Sequence, residues 1–505
     1  MGIAPVANLA PNSFAFETQP LIKATGFREY DARWWFGAPG SAKAPELNLL
    51  GVQVLGAGLG SLLHEMGVKP RLVTGHDYRF YSMSIKQALI LGLVQAGIEV
   101  LDIGLCLSPT AYFAQFALDA PGVAMVTASH NENGWTGVKM GAAPPLTFGP
   151  EEMGRLRDLV LAGQSIARPG GSYAQIEGLR ERYLADIASR FQLSRPIKVV
   201  AACGNGTAGA FAPDVLRRIG AEVIEIDCEL DWRFPKYNAN PEDQAMLHAM
   251  ADAVHEHGAE LALGFDGDGD RCGVVDDTGE EIYADKIGLM LARDLSASHP
   301  GARFVVDVKS TGLYAIDPVL LAHGATVDYY KTGHSYIKRR TNALNALAGF
   351  EKSGHFFFRE PLGLGYDDGL VSGCAILAML DRAGGQRLSQ LRAQLPVSFT
   401  SLTMSPHCDD EAKYGIVEKV SAHYQGQAGT MILGRKVRDV NLVNGVRVTL
   451  EDGSWLLVRA SSNKPELVVV VESMRSDADM RALFREEVRP RLAAFAEVGA
   501  YNQEI

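Results

Sequence analysis

The chain has 505 residues, with 48 Lys or Arg against 59 Asp or Glu, a formal charge of −11. That length predicts about three or four domains. A 47% hydrophobic and 21% charged composition fits an ordinary globular protein, not a disordered tail, a collagen or a coiled coil. The acidic balance argues against a nucleic-acid binder, which needs a broad basic face, yet it allows a small anion held by a few local cations. No membrane is expected, because no uninterrupted apolar run reaches the length of a span. The first 14 residues lack the basic-then-apolar order of a secretory signal, and Val6 stands where a myristoylation signal carries Ser or Thr. Six scattered cysteines (Cys106, Cys203, Cys228, Cys272, Cys374, Cys408) form no C-x-x-C pair and read as reduced core thiols of a cytoplasmic protein.

In chain order, β-branched runs ending in Gly, Asp or Ser alternate with segments of helical period. The runs are 71–77, 122–131, 197–206, 259–270, 302–310 and 325–335, with helical stretches such as 82–97 and 211–220 between them. Continuous apolar runs suit strands buried on both faces, and the alternation predicts an α/β fold. Ligands then bind beyond the carboxyl ends of the strands, where the polar motifs fall. Breaks expected in 164–175, near 276–281 and near 392–398 give domains 1–168, 169–280, 281–395 and 396–505. The last reads as α+β, with Asn444-Gly445 and Asp452-Gly453 turning between strands. Gly56-Ala57-Gly58-Leu59-Gly60 resembles part of a dinucleotide fingerprint but follows a helical pattern, so helix packing is expected there. His255-Glu256-His257 places its histidines on different sides of a helix and reads as surface.

Four stretches carry chemistry. In Gly264-Phe265-Asp266-Gly267-Asp268-Gly269-Asp270-Arg271, three carboxylates alternate with glycines and can converge on one hard cation such as Mg²⁺. An EF-hand is excluded by Arg271 and Asp277, which stand where that loop needs Gly and Glu; an acidic surface turn is the competing reading. Thr127-Ala128-Ser129-His130-Asn131 follows a strand and offers an exposed serine nucleophile, with Lys139 ten residues on; a simple turn competes. Glu351-Lys352-Ser353-Gly354-His355 can grip sugar hydroxyls and move a proton, or form a polar turn. Arg459-Ala460-Ser461-Ser462-Asn463-Lys464-Pro465 offers a guanidinium fork and hydroxyls to a phosphate, or forms a hairpin turn. Lys309 and His334 add a cation and an imidazole at strand ends. Cys203-Gly204-Asn205-Gly206-Thr207 has the composition to cradle phosphate at a helix start in a supporting role, but reads first as a structural turn.

This ordered set resembles the α-D-phosphohexomutase family, beginning at Phe27-Arg28-Glu29-Tyr30-Asp31-Ala32-Arg33 and ending at the Arg459 loop. The resemblance implies four domains around a central cleft: three α/β domains with mixed sheets, bearing the serine, metal and sugar loops, and a C-terminal α+β phosphate-binding domain. It implies a phosphoserine at Ser129 and Mg²⁺ held by Asp266, Asp268, Asp270 and a phosphate oxygen on Ser129. Glu351, Ser353 and His355 would read the sugar, while Arg459, Ser461, Ser462 and Asn463 hold the phosphate that is not reacting. Tyr30, Arg33, Lys309 and His334 would line the cleft. Lys139 would move protons, with His355 and Arg271 assisting. The implied reaction interconverts hexose 1- and 6-phosphates through a hexose 1,6-bisphosphate, with mannose and glucose as first choice and glucosamine phosphate as the alternative. A sugar-phosphate phosphatase and a non-catalytic binder are the rival classes. A monomer or homodimer is expected. The chain departs from the family pattern at Glu132, Phe350 and Trp34, which replace Pro, Gly and Gly, and in the order Ser461-Ser462-Asn463 followed by Lys464.

Overall fold

Five-residue runs that are apolar throughout, such as Gly122–Val126 and Leu261–Phe265, become the fully buried inner strands of two mixed sheets. The computed structural model describes residues 2–461 and 464–505. They fall into two units, one comprising the chain up to Ile282 together with Ser353–Ser389, the other Tyr283–Lys352 and Gln390–Ile505.

The first unit holds both mixed sheets. One runs in the order Ala32–Trp35, Trp135–Gly141, Gly122–Val126, Arg71–His76, Glu99–Leu105, Ser172–Gln175. Its last four strands are mutually parallel, and Trp135–Gly141 runs antiparallel to both of its neighbours, Ala32–Trp35 and Gly122–Val126. Helices Leu49–Glu65 and Ser82–Gln95 pack closely beneath it because glycines meet backbone at the crossing: a Cβ on Gly56 would lie 2.2 Å from the Leu89 carbonyl, and one on Gly92 2.0 Å from that of Gln53. The Gly56–Gly60 stretch is therefore helix packing, as its periodicity predicts. The second sheet is ordered Glu281–Ile282, Cys272–Asp276, Leu261–Phe265, Lys198–Ala202, Glu222–Ile226. The apolar helix Gly369–Arg382, capped by Asp368 on the N–H groups of Leu370 and Val371, packs on its strands Leu261–Phe265 and Cys272–Asp276.

In the second unit, strands Thr326–Tyr330, Arg303–Asp307 and Ala348–Phe350 lie parallel in that order. A separate antiparallel sheet runs Phe399–Thr400, Leu467–Ser473, Trp455–Ala460, Val446–Leu450, Arg435–Asn441, Met431–Ile432. Helix Asp410–Tyr424 joins its core through Ile416, Val417 and Val420, against Val448, Leu456 and Val469. The fold class is thus α/β with mixed sheets, ending in an α+β segment. All six cysteines are buried free thiols.

Candidate active site

The strand Gly122–Val126 delivers Ser129 into a tight turn, where the serine is 2% exposed and has a φ of +54°. A non-glycine residue in this left-handed region costs about 1–3 kcal/mol and persists only where its surroundings over-determine it. Here they do. The Ser129 N–H donates to Thr127 Oγ1 (2.8 Å), whose own hydroxyl donates to Asp77 Oδ2 (2.8 Å). Asp77 Oδ2 also accepts from the Ala128 N–H at 3.2 Å, and Arg33 donates to the Ala128 carbonyl. Arg79 Nη2 donates to the carbonyls of Ser129 (2.8 Å) and Asn131 (2.7 Å). The Ser129 hydroxyl is left pointing at Asp266 Oδ2, 3.2 Å away, with His130 Nδ1 at 3.1 Å.

The acidic loop that receives it is built from the end of strand Leu261–Phe265. Each of its three middle carbonyls is taken by a backbone N–H from elsewhere: Gly267 by Thr207 (3.2 Å), Asp268 by Ser108 (3.0 Å), Gly269 by Gly369 (3.0 Å). The Cys203–Thr207 turn thus packs against this loop through the Thr207 N–H. The glycines are steric requirements. A Cβ on Gly267 would stand 2.6 Å from the Ser129 carbonyl, and Gly269 has a φ of +72°. Asp266, Asp268 and Asp270 are all fully buried, with ligand oxygens within 4.8 Å of one another.

Burying three carboxylates together requires a compensating cation. Lys139 Nζ lies on Asp268 Oδ2 at 2.7 Å and on Asp270 Oδ2, and Ser108 Oγ donates to Asp268 at 2.6 Å. Burial alone would raise the Asp268 carboxyl, but Lys139 and Ser108 hold it well below the usual range. Burial opposes the Lys139 ammonium, and Asp268 and Asp270 more than restore it. Asp266, pushed up to about 8 by burial and by Asp270 and Asp268, is the least compensated. Asp268 Oδ1 and Asp270 Oδ1 are buried without a hydrogen-bond donor. An all-oxygen set with orphaned carboxylate atoms beside a serine hydroxyl fits a hard divalent cation such as Mg²⁺.

Beyond the loop, Arg271 Nε donates to His355 Nε2 at 3.0 Å, and Glu242 lies 3.6 Å from Arg271 Nη1. His355 Nδ1 faces Asp367 Oδ2 at 3.0 Å and Asp270 Oδ1 at 3.5 Å. Burial lowers the His355 imidazole, but Asp270 and Asp367 outweigh it and the net shift is upward. His130 is driven down, chiefly by the Arg271 charge and then by burial. Ser353, half-buried, belongs to this same unit, as do Tyr30 and Arg33; Arg33 pairs with Asp31 at 2.9 Å.

The remaining residues singled out in the sequence belong to the second unit. Glu351 follows strand Ala348–Phe350 and is 5% exposed, so the Glu351–His355 stretch divides between the units after Lys352. His334 opens helix His334–Ala343 and is buried. Lys309 lies in a turn gripped on both sides, since Arg447 Nη1 donates to the carbonyls of Val308 and Ser310. The Arg447 guanidinium is stacked 4.1 Å from the Tyr329 ring centroid and 3.8 Å from that of Trp455. Arg459, on strand Trp455–Ala460, donates to the Ala460 carbonyl at 2.9 Å. Lys413 Nζ donates to the carbonyls of Ser461 (2.6 Å) and Lys464 (3.0 Å). Ser462 and Asn463 lie outside the described residues.

Four family models match the chain in succession. They are phosphoglucomutase/phosphomannomutase α/β/α domain I over residues 26–166, domain II over 181–279, domain III over 283–399 and the C-terminal domain over 408–489. The chain belongs to the phosphoglucomutase/phosphomannomutase family. It is 33% identical to a phosphomannomutase/phosphoglucomutase of Pseudomonas putida over 90% of this chain and 93% of that protein. It is 32% identical to a phosphoglucomutase of Neisseria gonorrhoeae, over 88% and 92%. A crystal structure of a phosphoglucomutase/phosphomannomutase family protein from Burkholderia thailandensis superposes with a TM-score of 0.83 at 28% identity, covering 94% of this chain and 98% of that one. Membership of the phosphoglucomutase/phosphomannomutase family agrees with the resemblance carried by the motifs. Asp77, Arg79, Ser108, Asp367, Lys413 and Arg447 lie outside the sequence motifs. One signal is legible in the sequence: Asp77-Tyr78-Arg79 follows a buried strand, as the serine and aspartate loops do.

Proposed function

We propose that this protein is a phosphohexomutase that interconverts hexose 1-phosphates and 6-phosphates, with glucose and mannose phosphates as substrates. The observation that carries the reading is the approach of a buried serine hydroxyl, 3.2 Å from Asp266, to a loop of three buried carboxylates. Phosphoryl transfer asks mainly for positioning and charge neutralisation, and both are supported there. Ser129 carries the phosphoryl group. It passes that group to the free sugar hydroxyl, so the Ser129 O–P bond breaks as a sugar O–P bond forms, giving a hexose 1,6-bisphosphate. The bisphosphate exchanges its ends and returns its other phosphoryl group to Ser129. In each transfer to sugar the hydroxyl loses a proton and Ser129 Oγ gains one; Lys139, His355 and Arg271 are the groups assigned to that exchange. Mg²⁺ held by Asp266, Asp268 and Asp270 would supply charge neutralisation at the transferring oxygens. Glu351, Ser353 and His355 are assigned to the sugar hydroxyls, Arg459, Ser461, Ser462 and Asn463 to the idle phosphate, and Tyr30, Arg33, Lys309 and His334 to the rest of the ligand's surroundings. Six buried free thiols support a cytoplasmic setting.

The test is to supply glucose, mannose and glucosamine 1-phosphates separately, with Mg²⁺ and catalytic hexose 1,6-bisphosphate, and to follow products by phosphorus NMR. The expected result is 6-phosphate from glucose and mannose without inorganic phosphate. Release of inorganic phosphate alone would make the protein a phosphatase, and a clear preference for glucosamine phosphate would reassign the substrate.

A further inference from the structure

We propose that Asp77 and Arg79 are a positioning pair that fixes the Ser129 hydroxyl for phosphoryl transfer, an inference that rests on reading Ser129 as the phosphoryl carrier. The two residues lie upstream of Ser129, in the turn between strand Arg71–His76 and helix Ser82–Gln95. Their side chains are 1% and 2% exposed and paired with each other. A buried ion pair is weak evidence of stabilisation, so its retention calls for another reason. The reason is where its remaining hydrogen-bonding capacity goes.

Arg79 presents its second terminal nitrogen to the Ser129 and Asn131 carbonyls, bracketing the left-handed residue. Asp77 uses Oδ2 for the Thr127 hydroxyl and the Ala128 N–H on the other side of Ser129, and Oδ1 for the Ser82 hydroxyl at 2.6 Å. The Asp77 N–H joins the end of the serine strand at the Val126 carbonyl, 3.0 Å away. Thr127 relays the pair to the serine itself, donating to Asp77 and accepting from the Ser129 N–H. Both terminal nitrogens of Arg79 are committed inside the protein, so the guanidinium acts through the turn and not on substrate. The planar fork matters, because a lysine ammonium cannot hold Asp77 and two carbonyls in that fixed geometry. Releasing the turn would let Ser129 relax toward an ordinary φ and carry its hydroxyl away from Asp266. A displacement of about 1 Å at a reacting group can cost roughly 100-fold in rate.

The experiment uses the full chain and compares wild type with Arg79→Lys, Thr127→Val and Thr127→Ser. Single-turnover loading of Ser129 by glucose 1,6-bisphosphate is followed by intact mass, and affinity of the unphosphorylated protein for glucose 1-phosphate by calorimetry. The proposal expects loading about 100-fold slower in Arg79→Lys and Thr127→Val, affinity changed little, and most of the rate recovered in Thr127→Ser. Should Arg79→Lys fail to fold, the Thr127 pair decides alone, since the valine is nearly isosteric and lacks only the hydroxyl. Wild-type loading in Thr127→Val, or parallel loss of loading and affinity in the variants, would overturn the positioning role. A wild-type protein that takes no phosphoryl group on Ser129 would instead overturn the mutase reading beneath it.

Discussion

At the scale of single residues, the acidic loop leaves almost no latitude. Gly267 has no side chain because the Ser129 carbonyl occupies the place where one would stand, 2.6 Å away. Gly267→Ala should therefore push the serine turn off the loop and reduce turnover by at least about 100-fold while Mg²⁺ binding survives; steady-state kinetics beside a metal titration would check it, and wild-type turnover would mean the two loops are not in register. Asp268 is fastened by Lys139 and Ser108 on one oxygen, with the other oxygen orphaned. Asp268→Asn removes a charge without changing shape, so the Mg²⁺ concentration for half-activity should rise by roughly tenfold or more, and an unchanged titration would move the cation elsewhere. The three aspartates were legible in the sequence because their spacing is itself the signal. Asp367 and Ser108 were not, because nothing near them in the chain marks them; only the fold brings Asp367 to His355 and Ser108 to Asp268.

At the scale of elements, the antiparallel sheet of the second unit holds more than its own core. Glu472, fully buried on strand Leu467–Ser473, accepts hydrogen bonds from Thr311 Oγ1 (2.8 Å), the Gly312 N–H (2.7 Å), Thr400 Oγ1 (2.9 Å) and Trp455 Nε1 (2.5 Å), with Lys286 at 3.4 Å. Together with Arg447 it anchors the turn that carries Lys309. Burial would raise this carboxyl, but Lys286 and the Gly312 N–H, helped by Ser398 and Lys352, bring it down to about 2. Its folded value lies below the ordinary 4.5, so its contribution is complete above pH 4.5 and is lost as pH falls toward 2. Hydrogen exchange of peptides spanning 308–314 should therefore accelerate steeply below pH 4.5 after correction for intrinsic rates. In Glu472→Gln that segment should already open more easily at pH 7, by about 2–4 kcal/mol. Equal protection in the two proteins would remove Glu472 from this role. The run Leu467–Val471 announces a buried strand by its apolarity, but Glu472 reads there only as a strand end; its partners Thr311 and Gly312 lie 161 and 160 residues upstream.

At the scale of the whole molecule, the residues assigned to chemistry are distributed over both units. Ser129, the three aspartates, Lys139, Arg271 and His355 belong to one, and Lys309, His334, Glu351, Arg459 and Ser461 to the other. The α/β alternation and the α+β end could be read directly, because apolar runs and turn signals are local properties of the chain. The passage of residues 353–389 into the first unit could not, since it depends on helix Gly369–Arg382 burying its apolar faces against strands laid down a hundred residues earlier. If Arg459 grips the idle phosphate, Arg459→Ala should raise KM by about tenfold to 100-fold while Ser129 still loads from a bisphosphate at an unchanged maximal rate; unaltered KM would place that grip on other residues. The central claim is that one hydroxyl shuttles the phosphoryl group. The direct measurement is phosphopeptide mapping after exposure to hexose 1,6-bisphosphate and Mg²⁺, followed by a chase with hexose 1-phosphate. The account predicts a phosphoryl group on the peptide containing Ser129 that the chase discharges into bisphosphate, and no labelling or turnover in Ser129→Ala. A phosphoryl group on another residue, or turnover that survives Ser129→Ala, would contradict it.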